Sequence, residues 1–197
     1  MLGNAQRSLR NIIEQRIDGR VELLEREAGG GAVLTGPWMV STSIILPRGH
    51  PLVSGSLVGC YRWLGQVHAA ALAEFGVPAH ALPVQSLPLA NAMMDIRTVD
   101  WACFGGLSPW EVVDADYRKL VGLAQRRRHA GVLLVAGTLV GATDWRLLCE
   151  VMGHPEDEAI LRRRSVSCEE LAGRLIEAEA FASALTQSID GALASSA

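Results

Sequence analysis

The sequence predicts an α+β domain with a mixed, largely antiparallel sheet and packed helices, and three observations support this class. Apolar segments of strand length follow one another between residues 99 and 140, separated by glycine and aspartate turns. One long segment, residues 54–75, carries apolar residues at helical spacing. Helix-capping signals then cluster after residue 144. Because strands and helices occur in separate runs, the α+β class is favoured.

The first half of the chain contributes two predicted strands and the long helix. Residues 21–26 alternate loosely between apolar and polar side chains, which predicts a strand, and a glycine turn follows at residues 29–31. Residues 41–47 form a second apolar strand that a proline ends. The helix over residues 54–75 packs one face on the sheet. Residues 76–98 contain three prolines and no clear period, so a loop-rich segment is expected.

The middle of the chain resembles a series of hairpins. Residues 99–106 are predicted to form a short strand that runs into a glycine turn. Residues 110–125 contain two apolar runs joined by an Asp-Ala-Asp turn at residues 114–116, which indicates a hairpin. Residues 131–140 form a further strand bounded by glycines. Together these segments predict the centre of the sheet.

Helices follow the hairpins. Asp144 is placed to cap a helix that Gly153 ends. Ser167 and Glu170 have the spacing of a capping box. They predict one last helix over residues 168–190.

Composition excludes several classes of function. The 197-residue chain is 49% hydrophobic and 20% charged, with a net charge of −3, so it has no bulk attraction for nucleic acid or an anionic membrane. No apolar run approaches the ~20 residues of a membrane span, and no apolar region follows the first positive charges as in a secretory signal. Neither C-x-x-C nor Cys/His metal spacing occurs, so no metal site and a reducing, cytoplasmic location are expected. The cysteines are widely separated: Cys60, Cys103, Cys149 and Cys168.

Lys119 is the only lysine in a chain that otherwise uses arginine for its basic side chains. A lysine ammonium is a compact charge that can approach one oxygen atom closely. Alternation places Lys119 on the same strand face as Val121 and Leu123, toward an apolar interior. A buried ammonium needs a partner, either a carboxylate of the protein or a ligand oxygen. Gly122, three residues on, leaves space for a ligand against the strand.

Cys103 is a candidate nucleophile because it lies at a predicted strand end just before Gly105 and Gly106, where a ligand has access. The alternative is a small buried packing residue. Two other features also have two interpretations. His68 is either a structural or a catalytic histidine, and residues 126–128, all arginine, are either a solvated hairpin tip or an anion site.

Four stretches in consistent order resemble the biotin/lipoate protein ligase family. They are REAGGGAVLTG from residue 26, WACFGGLSPWEVVDADYRK from residue 101, RKLVGLAQRRRHAGVLLVAGTL from residue 118, and MLGNAQ at the start. The first resembles the family's Arg-x-x-Gly-Gly-Gly-x-Val motif. The second and third resemble the Cys-Phe segment of the family's octanoyltransferases and its Arg-Lys-hydrophobic-x-Gly-x-Ala-Gln segment. The fourth resembles its Leu-Gly-x-x-Gln motif.

This resemblance implies a fold akin to class II aminoacyl-tRNA synthetases and biotin synthetase. It also implies that Lys119 is the active-site lysine, which contacts the acyl carbonyl or an adenylate phosphate. Cys103 would carry the acyl group as a thioester. The residues that the resemblance assigns to substrate binding are Arg26, Gly29, Gly30, Gly31, Gly122, Gln125, Gly137 and Thr138.

The chain departs from the family pattern at three places. Thr35 and Ala136 stand where the family usually has histidines. The helix and strand that usually precede the Leu-Gly-x-x-Gln motif are missing. We therefore expect one catalytic domain over residues 1–197, with a helical C-terminal part from residue 155, that is either shortened at its N-terminus or continued upstream of Met1. A missing strand would expose a sheet edge or part of the pocket, which favours a homodimer or lowers stability.

Three functions remain open at this point. The first is transfer of an octanoyl or lipoyl group through Cys103 to the lysine of a lipoyl carrier domain. The second is an ATP-dependent lipoate–protein ligase, in which Lys119 contacts the adenylate and Cys103 only packs. The third is a non-catalytic member that binds an acyl group or a carrier. The expected partners are a medium-chain acyl group and a lipoyl carrier domain. No tightly bound cofactor is expected, and ATP with Mg²⁺ only for a ligase.

Overall fold

The structure, a computed structural model, describes residues 1–196. Within these residues five strands form one antiparallel sheet in the order β1-β5-β4-β3-β2. Parallel pairing in the described chain is confined to three isolated bridges. The predicted α+β class with a largely antiparallel, mixed sheet is therefore confirmed. The strands are β1 (Met39–Leu46), β2 (His80–Ala81), β3 (Val112–Val113), β4 (Lys119–Arg127) and β5 (Val132–Leu139).

The helices lie around this sheet. In chain order they are α1 (Arg10–Ile17), α2 (Pro51–Ser54), α3 (Leu57–Glu74), α4 (Leu87–Met94), α5 (Trp145–Met152), α6 (Glu158–Arg164), α7 (Cys168–Ala172) and α8 (Ala178–Ala194). Short 3₁₀ helices cover Asn4–Leu9, Val84–Ser86 and Pro155–Asp157. Among residues 1–196, no helix combines the length and the apolar character that crossing a bilayer requires.

The three long strands form the centre of the sheet. β5 pairs along its length with β1 on one side and with β4 on the other. Its sequence, VLLVAGTL, is rich in β-branched and leucine side chains, which suit a central strand, and its residues alternate between buried and half-buried up to Gly137. The predicted strands over residues 41–47 and 131–140 and the hairpin that turns at residues 114–116 are confirmed.

The long helix α3 covers one face of this sheet. Its N-cap is Ser56, whose hydroxyl accepts a hydrogen bond from the Gly59 N–H. The buried side of the helix includes Leu64 and Leu72, which are fully buried in the main hydrophobic core. At its end Phe75 packs edge-to-face on Phe181 of α8, with ring centroids 5.5 Å apart. The helix predicted over residues 54–75 is confirmed.

Capping signals located one C-terminal helix correctly and misjudged another. Asp144 accepts a hydrogen bond from the Leu147 N–H at the start of α5, and Gly153 ends that helix in the left-handed conformation. Ser167 likewise caps α7 by accepting from the Glu170 N–H. The single helix predicted over residues 168–190 is wrong, because Gly173 adopts a left-handed φ of 64° and ends α7 there. α8 starts separately after a short connection.

Two short predicted strands are absent from the described chain. Residues 21–26 form a single bridge, between Leu2 and Glu25. The Leu2 N–H donates to the Leu24 carbonyl and the Arg26 N–H donates to the Leu2 carbonyl, and the bridge does not extend into a ladder. Residues 99–106 fold into a tight turn, in which the Val99 N–H bonds the Gly105 carbonyl. Apolar patterning alone does not show whether a partner strand is available over several residues.

The segment over residues 76–98, predicted to be loop-rich, contains the two-turn helix α4. Its proline, Pro88, lies in the first turn, where a missing N–H removes no helical hydrogen bond. The prediction took this proline as a helix breaker and overlooked its favourable position at a helix start.

The buried His68 generates a prediction about acid stability. Its ring is fully buried in α3, and its Nδ1 lies 2.8 Å from the Leu64 carbonyl oxygen. Burial lowers the pKa of the His68 imidazole from 6.5 to about 4, so the neutral form is favoured in the folded state. Because the unfolded chain takes up this proton near pH 6.5, stability falls as the pH drops from there. The difference between the two pKa values of His68 corresponds to a loss of about 3 kcal/mol in the free energy of unfolding by pH 4.

Urea unfolding between pH 7.5 and pH 4 measures this loss. His68→Leu should remove most of it, whereas His129→Leu, on an exposed turn, should retain it. Equal pH dependence in the wild type and His68→Leu would rule out His68 as the cause.

Candidate functional site

A largely apolar cavity of about 280 Å³ lies on the sheet face opposite α3. β1, β5 and β4 form its floor, and its walls come from residues 26–28, Val33, Thr35 and Cys103. Small residues meet at the centre of the floor, where Ser41 pairs with Gly137 and Gly137 pairs with Gly122. Because these positions carry little or no side chain, a ligand can lie directly against the sheet.

Cys103 lies at the wall of this cavity and is half-buried. Its N–H donates to the Ala32 carbonyl at 2.9 Å, which ties the turn over residues 99–106 to the glycine-rich segment. Its Sγ lies 3.4 Å from the position that a Cβ on Gly122 would occupy. The absence of a side chain at Gly122 therefore leaves the thiol open to the cavity.

Lys119 lies on the cavity side of the sheet, which simple alternation did not predict. β3 and β4 shift register between Val112, which pairs with Val121, and Val113, which pairs with Lys119. β4 therefore has one extra residue at this point, a β-bulge, which turns the side chains before it to the other face. The Lys119 Nζ lies 3.7 Å from the position of a Cβ on Gly122, beside the Cys103 thiol. The prediction that Lys119 shares the face of Val121 and Leu123 is wrong.

Lys119 is 2% exposed, and its ammonium has three acceptors around it. It donates to the Cys103 carbonyl at 2.7 Å and to the Gly106 carbonyl at 3.2 Å. Its third neighbour is the Glu111 carboxylate, with Nζ 2.6 Å from Oε1. The Phe104 ring, with its centroid 5.4 Å from Nζ, closes one side. All three protons of the ammonium are thus directed to groups of the protein.

Glu111 is the residue that sequence reasoning missed. It is 2% exposed, and its oxygens also accept hydrogen bonds from the backbone N–H groups of Leu123 and Ser108. Burial raises the pKa of the Glu111 carboxyl, and Lys119 and these two N–H groups oppose that rise. Every contact donates to the carboxylate, which suits its ionised form. The sequence indicated that a buried lysine needs a partner such as a carboxylate. Which carboxylate it is, Glu111, follows only from the register of the hairpin.

Arg26 and the three glycines fix the wall of the cavity. The Arg26 side chain lines it and donates through Nη2 to the Gly31 carbonyl at 2.7 Å. A Cβ on Gly31 would lie 2.4 Å from the Trp101 carbonyl oxygen, so only glycine allows this segment to approach the Cys103 turn. In the described structure the cavity lining includes Arg26 and Ala28 but not Gly29–Gly31.

Two predicted substrate-binding residues lie on the opposite sheet face. Gln125 donates through Nε2 to the Leu57 carbonyl of α3 and accepts from the Arg127 guanidinium. Thr138 is fully buried, and its hydroxyl has no hydrogen-bond partner among residues 1–196. Of the predicted residues, Cys103, Gly122, Gly137 and Arg26 line the cavity, and Lys119 lies against Gly122 beside it.

The remaining thiols are buried elsewhere. Burial raises the pKa of Cys149 and of Cys168 to about 12, which makes both poor nucleophiles. Cys60 is buried in α3 and contacts the Arg127 guanidinium. Within the described chain, Cys103 is therefore the cysteine that faces the cavity.

Two arginines of the run at residues 126–128 pair with Glu27, which lines the cavity. Arg126 and Arg128 both pair with the carboxylate of Glu27, and Arg126 also donates to the Glu27 backbone carbonyl at 3.0 Å. Arg128 and Arg126 lower the pKa of the Glu27 carboxyl. The positive charge of the run is thus partly balanced within the protein.

A buried lysine and a half-buried thiol lie beside an apolar cavity on an antiparallel α+β fold, an arrangement typical of proteins that hold an apolar group next to a nucleophile. Comparison with known families identifies the family to which the chain belongs. The model of the lipoyl protein ligase A/B catalytic domain matches residues 1–190, and the chain belongs to this family. The resemblance to the biotin/lipoate protein ligases is confirmed.

Relatives and solved structures agree with this assignment. The chain is 29% identical to octanoyltransferase LipM of Kyrpidia tusciae, over 98% of the chain and 70% of that protein. It is 32% identical to octanoyltransferase LipM of Moorella thermoacetica, over 79% of the chain and 56% of that protein. The chain thus spans little more than half the length of the second relative.

Among solved structures, lipoate-protein ligase A bound with ATP superposes with a TM-score of 0.65 at 18% identity, over 98% of this chain and 67% of that one. A bi-partite lipoate protein ligase of Thermoplasma acidophilum, described with its E2 lipoyl domain, gives 0.64 at 16% identity, over 92% and 61%. The biotin protein ligase of Aquifex aeolicus gives 0.53 at 14% identity, over 80% and 54%. At these identities the likeness shows the fold alone, which confirms the expected biotin synthetase-like architecture.

The packing around Gly122 generates a prediction. The Cβ of Gly122→Ala would lie 3.2 Å from Lys119 Cε and 3.4 Å from Cys103 Sγ. Lys119 cannot move aside without losing its three contacts, so overpacking should lower the free energy of unfolding by about 1–3 kcal/mol. Urea unfolding measures the change.

Gly137→Ala is the matched control, since Gly137 pairs with Gly122 across the ladder. Its Cβ would meet only the Met39 side chain, at an ordinary 3.5 Å. Stability should be unchanged or higher by about 0.4–1 kcal/mol. If the two variants proved equally stable, the tight packing of Lys119 and Cys103 over Gly122 would be contradicted.

Proposed function

We propose that this protein transfers an octanoyl or lipoyl group to the lysine of a lipoyl carrier domain, with Cys103 carrying the group as a thioester. The observation that supports this most directly is the meeting of Cys103 and Lys119 at one position of the cavity, over Gly122. A thiol gives the nucleophile that acyl transfer needs, and an ammonium gives a donor for the oxyanion.

The cavity suits a medium-chain acyl group. Its lining is mainly apolar, with Val33, Leu133 and Val135 among the residues that form it. An acyl chain in this space would be removed from water while its carbonyl remained near Cys103. Burial of apolar groups at about 25 cal/mol per Å² favours such binding.

Transfer proceeds in two steps, first from the donor to Cys103 and then from Cys103 to the carrier lysine. The Cys103 sulfur attacks the carbonyl carbon of an acyl thioester donor; a new S–C bond forms, the donor's C–S bond breaks, and the donor leaves as a thiol with the Cys103 proton. The amine of the carrier lysine then attacks the acyl-enzyme; a C–N bond forms, the Cys103 S–C bond breaks, and the amine's proton returns to the thiol. In both steps the carbonyl oxygen gains negative charge that a nearby donor stabilises.

Lys119 can act as this donor only by exchanging a contact. Its three protons already have acceptors, and the longest contact is the one with the Gly106 carbonyl, at 3.2 Å. The developing oxyanion is a stronger acceptor than a peptide carbonyl. We assign the Gly106 contact as the one that the acyl oxygen replaces.

The carrier domain is proposed as the partner on two grounds. The family is that of lipoyl protein ligases, and the related Thermoplasma acidophilum ligase is described with an E2 lipoyl domain. The partner of this chain would present its lysine at the cavity mouth, beside Cys103.

An ATP-dependent lipoate–protein ligase is the second candidate, because a ligase bound with ATP shares the fold. In that reaction Lys119 would contact an adenylate and Cys103 would only pack. The two candidates differ in whether the thiol carries the acyl group and whether ATP is consumed.

Intact-mass spectrometry after incubation with an octanoyl thioester of a donor carrier protein tests the leading proposal. The wild type should gain one octanoyl group that hydroxylamine removes, because thioesters are labile to this reagent. Cys103→Ser should give no hydroxylamine-labile adduct and should lose carrier modification by at least about 10²-fold.

Cys149→Ala is the matched control, since its buried thiol lies away from the cavity, and it should retain the adduct. An adduct that persists in Cys103→Ser would contradict the transferase. Carrier modification from free lipoate and ATP that survives Cys103→Ser would establish the ligase instead.

A further inference from the structure

Glu111 is a fully buried carboxylate to which no motif gave a role. Its three neighbours come from separate parts of the site: Lys119 at the start of β4, the Leu123 N–H further along β4, and the Ser108 N–H after the Cys103 turn. A carboxylate taken from water is unfavourable unless it is paired and hydrogen-bonded, and here every contact donates to it. Such a group fixes the geometry of whatever it holds.

We infer that Glu111 positions Lys119 and balances its charge, so that in the resting protein the Cys103 thiol faces a neutral ion pair rather than a free ammonium. Glu111 does not touch the cavity-bound group and acts only through Lys119. The inference deepens the proposed acyl transfer and rests on it for the turnover measurement alone.

The contacts form a chain from the carboxylate to the thiol. Glu111 holds the Lys119 Nζ at 2.6 Å, and the same Nζ donates to the Cys103 carbonyl at 2.7 Å. The Cys103 Sγ and the Lys119 Nζ then lie 3.4 Å and 3.7 Å from one point, the position of a Cβ on Gly122. Loss of the carboxylate would release the lysine and leave its charge unbalanced beside the sulfur.

The charge of Lys119 matters because a nearby cation favours the thiolate. A carboxylate paired with that cation offsets this effect. When an acyl carbonyl enters, Lys119 can turn one proton from Gly106 to the oxygen while Glu111 still holds it. Two titratable groups approach this pair: Cys103, whose Sγ shares the space over Gly122 with Lys119, and Tyr61, whose phenol pKa is raised by burial and also by the Glu111 charge. Met1, Arg26 and Glu27 line the same cavity as Cys103, and the Arg62 guanidinium lies over the ring of Trp110, the residue before Glu111.

Alkylation of Cys103 by iodoacetamide as a function of pH tests the inference without any acyl substrate. Peptide mass spectrometry assigns the modified cysteine in the full chain. Glu111→Gln should move the midpoint of the alkylation profile down by about one pH unit, because an unbalanced ammonium favours the thiolate. Lys119→Met should move it up, because an unbalanced carboxylate disfavours the thiolate.

The double variant Glu111→Gln/Lys119→Met should return the midpoint toward the wild-type value, since both charges are removed. This comparison decides the matter even if Glu111→Gln does not fold, because Lys119→Met must then titrate above the double variant. Glu150→Gln, a surface glutamate paired with Arg20 and Arg146, is the matched control and should keep the wild-type profile.

Measurement of kcat and KM distinguishes the positioning of Lys119 by Glu111 from the balancing of its charge. Glu111→Asp keeps the charge with a shorter reach, so its alkylation midpoint should stay near the wild type while kcat falls by about tenfold at nearly constant KM. Equal alkylation midpoints in the wild type, Glu111→Gln and Lys119→Met would overturn the inference. If no acyl transfer were found at all, the proposed function would fail while the alkylation result would still decide the role of Glu111.

Discussion

The buried ion pair between Lys119 and Glu111 is the interaction on which the candidate site depends. Neither charge has access to water, so each must be satisfied by the protein itself. The lysine meets this requirement with the carbonyls of Cys103 and Gly106, and the glutamate meets it with two backbone N–H groups. The same bonds that stabilise the pair therefore hold the cysteine turn against the sheet.

The sheet provides the space next to this pair. The β-bulge in β4 turns Lys119 to the cavity side, while glycines on β4 and β5 leave the floor open beneath it. The glycine-rich segment lies close to the cysteine turn because Gly31 has no side chain. Gly122, on the floor, and Gly31, in the glycine-rich segment, thus both leave room next to Cys103 because they have no Cβ. This arrangement brings residues distant in sequence to one apolar cavity.

Periodicity predicted most of the scaffold. The helix α3 and the strands β1, β4 and β5 follow from apolar spacing, and Asp144 and Gly153 correctly mark α5. These features are local, so the sequence carries them directly. The break at Gly173 was also local, but a good capping signal upstream concealed it.

The site was less predictable because it depends on pairing between segments. Cys103 and Lys119 were identified from residue type and family resemblance, and the structure brings them together. The face of Lys119 was misjudged because a bulge appears only when two strands are aligned. Gln125 belongs to the same family-like segment as Gly122, yet lies on the other sheet face and bonds to α3. Glu111 could be selected as the lysine's partner only from the hairpin register.

Because Lys119 is the only lysine, labelling the chain with ¹⁵N-lysine gives one side-chain ammonium signal by NMR, which reports whether this ion pair is closed to solvent. An ammonium held by Glu111 and two carbonyls should give a sharp ¹⁵Nζ–H correlation at neutral pH, with proton exchange far slower than that of an exposed lysine. Exchange as fast as that of free lysine would show that the ammonium is open to solvent and would contradict the buried pair.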